Sequence, residues 1–375
     1  ALSGEKDTLE SAGKRFNAKD RKKPTKEHGR ITEDYLRYLS SDVLATFSLY
    51  QAMMIEYKIY EVYLQPEQIY SSASIGKEVL RSMGIKKFEE QNKNFPDEMK
   101  GRLMSSFYGG RCEVNYRKEP IKCSVLDFTS MYPTVNALLS LDKFLVAEEV
   151  EIIEDTEKVQ TFLEEITLED INKKEIYSQM CVLCEIVPDS DILPIRTEFN
   201  EHEKLKNIGI CEVKAEKSLF YALPDLVASK ILTGKTPKIL KAYRFVPKEV
   251  QKGLKKVNIL DLEINPAKEN IFAQLVEERQ RIKKGLKKLE KNYEQYNLLE
   301  SRQQAIKLLA NSTSYGIYVE FNPEHENSDL TVNSNTTFDT KGRFERTGSF
   351  FNPVMGALIT STSRLLLATI ETLLK

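Results

Sequence analysis

The chain has 375 residues, 41% of them hydrophobic and 30% charged, with a formal net charge of −1. That balance excludes a disordered tail and leaves room for two or three packed domains. No apolar run approaches the ~18 residues of a membrane span and no signal peptide opens the chain, so no membrane partner is expected and a cytoplasmic setting is. Cys112, Cys123, Cys181, Cys184 and Cys211 are an odd, sparse set that fits reduced thiols. "CVLC" lies in an apolar, strand-like run with no second pair at zinc spacing, and strand alternation turns its two cysteines to opposite faces. The chain opens on Ala1 and stops at Lys375 inside an apolar helical pattern, so both ends read as cut.

Residues 1–17 read as helix and loop, and "AKDRKKP" from Ala18 as a basic loop. From Ile31 to Met54, apolar residues at Leu36, Leu39, Val43, Phe47 and Tyr50 recur at helical spacing. Helix continues from Tyr57 to Gly84 with a break at Pro66. "SFYGGRCEV" sets two glycines before a short strand, which marks a tight turn or a close backbone approach. "KCSVLDF" reads as a strand and "PTVNALLSL" as a short helix behind Pro133. After Phe144 come strand and loop, then a helix near Thr167 to Lys174. "QMCVLCEIV" and "PKILKAYRFVP" are strands, and "SLFYALPDLVASKILTG" is a strand followed by a helix. No internal repeat is present.

Two segments carry opposite charge. Residues 147–175 hold 11 acidic and 3 basic side chains, whereas residues 230–291 hold 17 basic and 7 acidic. The basic segment leads into the clearest helical pattern, with apolar residues at Leu275, Ile282, Leu286, Leu289, Tyr293 and Tyr296. A second helix follows from about Leu298 to Ser314. Polar "KNYEQYN" separates them, so an antiparallel hairpin with its tip near Gln295 is expected. On that geometry Lys283 and Lys307 are level, with Arg279 one turn below Lys283. Like charges gathered this way repel, and a polyanion such as a triphosphate would explain them; a solvated basic face is the alternative.

"VLDFTSMYPT", from Val125, ends an apolar lead in Asp127. A carboxylate at the end of a buried strand needs a cation, and a metal ion is one candidate.

Several stretches together resemble family B DNA polymerases. "DFTSMYPT" resembles motif A, Asp-x-x-Ser-Leu/Met-Tyr-Pro-Ser/Thr. "KLLANSTSYG" resembles motif B, Lys-x-x-x-Asn-Ser-x-Tyr-Gly, and "RQQAIK" matches its usual lead. "EERQRIKK" resembles the first fingers helix, and "FYGG" the Tyr-x-Gly-Gly turn between exonuclease and polymerase domains. "YLSSD" fits the third exonuclease motif, and "NPVMGALITSTSRLLLATI" the palm helix before motif C. All occur in the family's order.

The resemblance implies an α+β fold, with a palm sheet, a helical-hairpin fingers subdomain and a helical exonuclease remnant. It divides the chain into 1–55 (exonuclease remnant), 56–146 (linker and first palm segment), 147–262 (palm continuation with an inserted subdomain), 263–318 (fingers) and 319–375 (return to palm). It implies template-directed DNA synthesis from dNTPs by two-metal phosphoryl transfer, with two magnesium ions, replaceable by manganese. Asp127 and the Phe128 carbonyl would hold metal, and Asp127 and Lys307 would act in catalysis. Backbone N–H groups of Thr129, Ser130 and Met131 would meet phosphate, and Tyr132 would lie under the deoxyribose and exclude a 2′-hydroxyl. Arg279, Lys283 and Lys307 would clamp the triphosphate, with Asn311 beside the nucleotide. Gly109, Gly110, Tyr315 and Gly316 would contact DNA. Tyr38 and Asp42, the latter a metal ligand, would belong to the 3′–5′ exonuclease.

Departures from the family pattern matter too. Asn311 and Tyr315 are four apart, one more than motif B has, and a π-bulge would absorb the extra residue. Asp127 and Arg279 are 152 positions apart, which suggests an insertion around Ala147 to Val257, where protein-primed members carry one. A terminal protein primer is therefore a candidate partner beside primer-template DNA. "LDLEI", from Leu260, has the form of a first exonuclease motif but lies out of order and reads as a strand-to-helix connection. Motif C, Tyr-Gly-Asp-Thr-Asp-Ser, is absent, and Asp329 and Asp339 lack its strand–turn–strand setting. The chain alone is therefore expected not to extend a primer. It reads as part of a polymerase completed by a C-terminal chain carrying motif C, or as a non-catalytic DNA- and nucleotide-binding subunit.

Overall fold

The computed structural model describes residues 7–24, 29–60, 64–114, 116–197, 206–289, 294–332 and 336–374. Ala1–Lys6, residues 61–63 of the helix read from Tyr57 to Gly84, and Tyr293 of the apolar stripe lie outside the described residues.

Helix α1 (Leu9–Arg15) starts at Thr8, whose hydroxyl accepts from the Ser11 N–H, and α2 (Glu33–Lys58) starts at Thr32, which caps Tyr35 in the same way. The stripe that gives α2 its helical spacing faces outward, with Val43 69% and Phe47 55% exposed. The buried side of α2 is instead the small-residue face holding Ala45 and Ser48, and Ser48 donates to Asp20. Helix α3 (Ser72–Ser82) is separate from α2, and a 3-10 turn at Pro66–Gln68 lies between them. Next come α4 (Phe88–Gln91) and α5 (Asp97–Ser105).

Two expected strands are missing. Neither "SFYGGRCEV" nor "KCSVLDF" forms a ladder, because no other strand lies alongside to take up its hydrogen bonds among the described residues. Val125 and Leu126 are 87% and 64% exposed, so Asp127 ends an open extended segment and is itself exposed.

Helices α6 (Met131–Leu138) and α7 (Asp142–Val146) lead into strand β1 (Ala147–Glu154) and α8 (Thr156–Glu165). The helix expected near residues 167–174 lies earlier, at α8. Val159 and Leu163, four apart, are both fully buried there. Lys230 Nζ closes that helix by donating to the Leu163, Glu164 and Ile166 carbonyls at 2.9, 2.7 and 2.8 Å. Residues 167–174 form turns, with Asp170 tied to Thr167 and Lys173.

Strands β2 (Val182–Ile186), β3 (Asp189–Thr197), β4 (Lys206–Lys214) and β5 (Leu219–Ala222), helix α9 (Leu223–Thr233) and strand β6 (Ile239–Val250) complete this region. An antiparallel sheet runs β1-β6-β2-β5, and β3 and β4 form a separate hairpin. Both cysteines of "CVLC" are buried, and burial pushes the thiols up, to about 12 for Cys181. Strands β7 (Val257–Ile259) and β8 (Leu262–Ile264) turn at Leu260 and Asp261, whose φ angles of 54° and 58° suit a tight hairpin. "LDLEI" is therefore a hairpin, not a strand-to-helix connection.

The expected helical hairpin consists of α10 (Ile271–Leu286) and α11 (Glu294–Ser314). Gln295 and Tyr296 both belong to the second helix, so the tip is not at Gln295. Helix α11 is α-helical through Ser314 with no π-turn, so the extra residue of motif B is absorbed where the helix ends, at Tyr315–Gly316. Strands β9 (Phe321–Val332) and β10 (Thr336–Thr347) form a long ribbon in which Asp329 and Asp339 are cross-strand partners, a strand setting that the sequence reading missed. Helix α12 (Pro353–Leu374) is long and apolar enough to cross a membrane by length and composition alone, contrary to the sequence reading. It is buried within the protein for most of its length, packed on α9, α5 and α6.

Candidate functional site

The site begins at the turn before α6. Ser130 takes φ 51° and ψ 55°, a left-handed conformation uncommon outside glycine. The turn is held by Thr134, whose N–H donates to Ser130 O at 2.9 Å and whose hydroxyl donates to Thr129 O at 3.0 Å. Pro133 fits the first turn of α6, where an N–H has no intrahelical acceptor. The Ser130 hydroxyl meets Arg279, and Tyr132 is partly buried against the core.

Arg279 of α10 comes down onto this turn. Its Nη1 donates to Ser130 Oγ and its Nε to Gln303 Oε1 at 3.1 Å on α11. Arg279 is only 8% exposed. Burial lowers its pKa, and the Asp127 and Glu300 carboxylates act against that. Lys283 is also lowered, first by burial and then by Arg279 and Lys307, so Lys283 lies within electrostatic reach of both other cations and of Asp127.

They are not level, however. Arg279–Gln303 and Glu278–Arg302 set the hairpin register, with Arg302 Nη2 at 3.1 Å from Glu278 Oε1. In that register Lys283 stands about 12 Å nearer the tip than Lys307, at ~1.5 Å per residue, with Arg279 midway. The cations form a row along the hairpin, with Asp127 in reach of Arg279 and Lys283.

Tyr132 stacks on Tyr315, with ring centroids 4.7 Å apart and 19° between planes. Asn136, fully buried on α6, donates to Ser314 O at 2.9 Å and so ties the turn to the end of α11. Gly110 lies against Tyr132: a Cβ on it would stand 3.4 Å from the tyrosine hydroxyl. Gly109 has φ 72°, and its carbonyl accepts from Arg364 Nη1. Arg364 and Asp225 form a buried two-pronged pair, Nε to Oδ1 at 2.7 Å and Nη2 to Oδ2 at 2.8 Å. Two aromatic and arginine contacts hold the neighbouring Tyr108, which stacks on Tyr221 at 5.4 Å and lies under Arg196.

Residues 7–204 match the family described as DNA polymerase type B, organellar and viral, and residues 269–321 match DNA polymerase family B. The chain belongs to the organellar and viral type B DNA polymerases. Among solved structures it resembles phi29 DNA polymerase in its orthorhombic crystal form, at 14% identity and a TM-score of 0.50 over 98% of this chain and 56% of that one. Phi29 DNA polymerase complexed with primer-template DNA and incoming nucleotide substrates also matches, at 14% identity and a TM-score of 0.49, over 99% and 57% of the two chains. The chain thus spans a little over half the length of the polymerases whose α+β fold it shares. No curated protein matches it.

The sequence-predicted site residues of this family member fall into three places. Asp127, Ser130, Arg279, Lys283 and Lys307 share the fingers–turn site, and Tyr132, Tyr315 and Gly110 form its floor. Asn311 and Gly316 are exposed at the end of α11 and just past it. Tyr38 and Asp42 lie apart on α2, where Tyr38 stacks on Tyr35 at 6.0 Å and Asp42 stands 4.0 Å from Lys22 Nζ. Among the described residues no group of three or more histidine, cysteine or acidic side chains could hold a metal ion.

Sequence reading missed Gln303, Asn136 and the Arg364–Asp225 pair. Gln303 is four residues before Lys307, which puts it on the same helix face. Arg364 is the one charge in the apolar run 353–370, and a charge there requires a buried partner.

Proposed function

We propose that this chain is the nucleotide- and template-handling part of a DNA-directed DNA polymerase, which transfers deoxynucleotides from dNTPs to a primer 3′-hydroxyl. The observation that carries the reading is the row of Arg279, Lys283 and Lys307. Asp127 and Glu300 are the carboxylates that act on Arg279 and Lys283, and the buried arginine is hydrogen-bonded only to neutral groups among the described residues. Burying a cation and lining up two more beside it costs stability that a bound triphosphate would offset.

In this reading Arg279 grips two phosphate oxygens in a planar fork, and the two lysines act as point charges to either side. Backbone N–H groups of Thr129, Ser130 and Met131 meet the remaining oxygens. Tyr132, fixed flat by Tyr315, lies under the sugar and has no room for a 2′-hydroxyl. Asn311 lies beside the nucleotide. Gly109 and Gly110, with Tyr315 and Gly316, meet primer-template DNA, and lacking a Cβ the glycines let a backbone approach closely. Tyr38 and Asp42 belong to an associated 3′–5′ exonuclease, and residues 147–262 continue the palm and carry an inserted subdomain, around residues 147–257, for a terminal protein primer to contact.

Family B polymerases use divalent metal ions, commonly magnesium. Here Asp127 and the Phe128 carbonyl supply one carboxylate and one carbonyl oxygen. A site for two hard cations takes several oxygen ligands, so the described residues do not by themselves fit it. That single carboxylate favours a second reading of the isolated chain, a nucleotide- and DNA-binding part of a polymerase whose other carboxylate comes from a segment carrying motif C.

Titration with a fluorescent dNTP and a primer-template duplex, followed by primer extension, tests this. The chain alone should bind both and extend nothing; adding a chain with Tyr-Gly-Asp-Thr-Asp-Ser should restore extension. Robust extension by the chain alone, or no nucleotide binding, contradicts it.

A further inference from the structure

Among the described residues two arginines are buried, Arg279 and Arg364, and they are held in opposite ways. Arg364 is neutralised by both oxygens of Asp225. Among the described residues Arg279 has no carboxylate within ion-pair distance, and its acceptors are the Gln303 amide oxygen and the Ser130 hydroxyl. A buried guanidinium usually takes a carboxylate, because an unpaired charge in low dielectric is the costlier arrangement.

The amide is held in one orientation. Gln303 is 4% exposed, and its Nε2 donates to Glu300 Oε1 at 3.1 Å, which leaves Oε1 to face Arg279. Glu300, the carboxylate nearest in sequence, also accepts from Gln304 at 2.9 Å. It is therefore occupied by two amides and makes no bond to Arg279. With Nε on Gln303 and Nη1 on Ser130, the guanidinium plane is set and Nη2 has no protein partner among the described residues.

We propose that Gln303 is a positioning residue for the triphosphate site: it fixes the plane of Arg279 through a neutral acceptor, so that the full charge of the guanidinium stays available to phosphate. The inference rests on the nucleotide-binding reading above. A glutamate at this position would have nearly the same shape, would reach Nε equally well and would neutralise the arginine. Position 303 then decides whether Arg279 is a ligand for phosphate or half of an internal ion pair.

The effects of substitution on affinity and stability should separate. Gln303→Glu should weaken binding of inorganic tripolyphosphate and of dTTP about tenfold or more, the equivalent of ~1.4 kcal/mol. The same variant should melt about 2–4 °C higher than the parent, because it relieves the unpaired cation. Gln303→Leu should weaken binding and also lower the melting temperature, since it leaves Nε without an acceptor.

Isothermal titration of the full chain with tripolyphosphate, beside thermal melts of the same samples, reads both quantities. A merely structural glutamine would make affinity and stability fall together in both variants. If the parent chain binds tripolyphosphate, loses it on Arg279→Ala and keeps it in Gln303→Glu, the role given to Gln303 is wrong and the site stands. If the parent chain binds no tripolyphosphate, the site reading itself is overturned.

Discussion

Asp142 shows how one side chain joins α7 to the α10–α11 hairpin. It is buried at the start of α7 and accepts from Asn270 Nδ2 at 2.6 Å, while Asn270 Oδ1 caps α10 through the Ala273 N–H at 2.9 Å. Burial pushes the carboxyl up to about 6, against the pull of backbone N–H groups and Lys143. With the folded value above the unfolded one, the folded state holds a proton that the unfolded state has released between about pH 4 and 6. Stability from this group is full below that window and lost as pH rises through it, by roughly 3 kcal/mol at most. Asp142→Asn keeps an acceptor for Asn270 and carries no charge. Its unfolding midpoint in urea should exceed the parent's at pH 7.5 and match it near pH 4; an equal gap at both values rules out this titration. Tyr132 makes a chemical prediction at the same scale. Its ring is immobilised by Tyr315, so Tyr132→Ala should bring ATP affinity up toward that of dATP, and unchanged discrimination removes it as the sugar gate.

At the level of elements, α11 carries Lys307 and the Gln303 that holds Arg279, and α3 packs against α11. Gly76 of α3 lies against α11 so closely that a Cβ would be 2.7 Å from the Ser312 carbonyl oxygen. On an exposed helix, Gly→Ala gains about 1 kcal/mol from propensity. Here the carbonyl belongs to helix backbone and cannot turn aside, so Gly76→Ala should instead cost about 1–3 kcal/mol by overpacking. Chemical denaturation gives the sign, and a gain in stability would show that the helices part freely. Such elements were partly legible. The two fingers helices and their three cations follow from the 3.6-residue spacing and the polar interval between the helices. The register was not legible, because it depends on Arg279–Gln303 and Glu278–Arg302 contacts across the pair. The strand read at "KCSVLDF" failed for a related reason: apolar β-branched composition allows a strand, but only a neighbouring strand completes one. Strands β3 and β4 were missed because their charged, irregular sequence hides the alternation.

For the whole molecule, α12 is the element around which the site is arranged. Its Arg364 joins α9 through Asp225 and the Gly109 turn through a carbonyl, and Gly110 in that turn meets Tyr132. Asp225→Ala leaves a buried guanidinium unpaired and should cost about 3–5 kcal/mol, whereas joint replacement of the pair by Arg364→Met and Asp225→Leu should recover much of that. Equal losses in the single and double variants, measured by thermal unfolding, contradict this role. The family was legible because its motifs are short, ordered and chemically constrained. The outward-facing stripe of α2 and the lone carboxylate at Asp127 were not, because hydrophobic spacing does not say which face finds a partner. The central claim is that the fingers cations and the Asp127 turn form one triphosphate site. A crystal structure of the chain with a dNTP and a divalent cation tests it most directly. Phosphate oxygens should lie on Arg279, Lys283 and Lys307, with the sugar over Tyr132; a triphosphate bound elsewhere, with those three side chains left facing solvent, would contradict it.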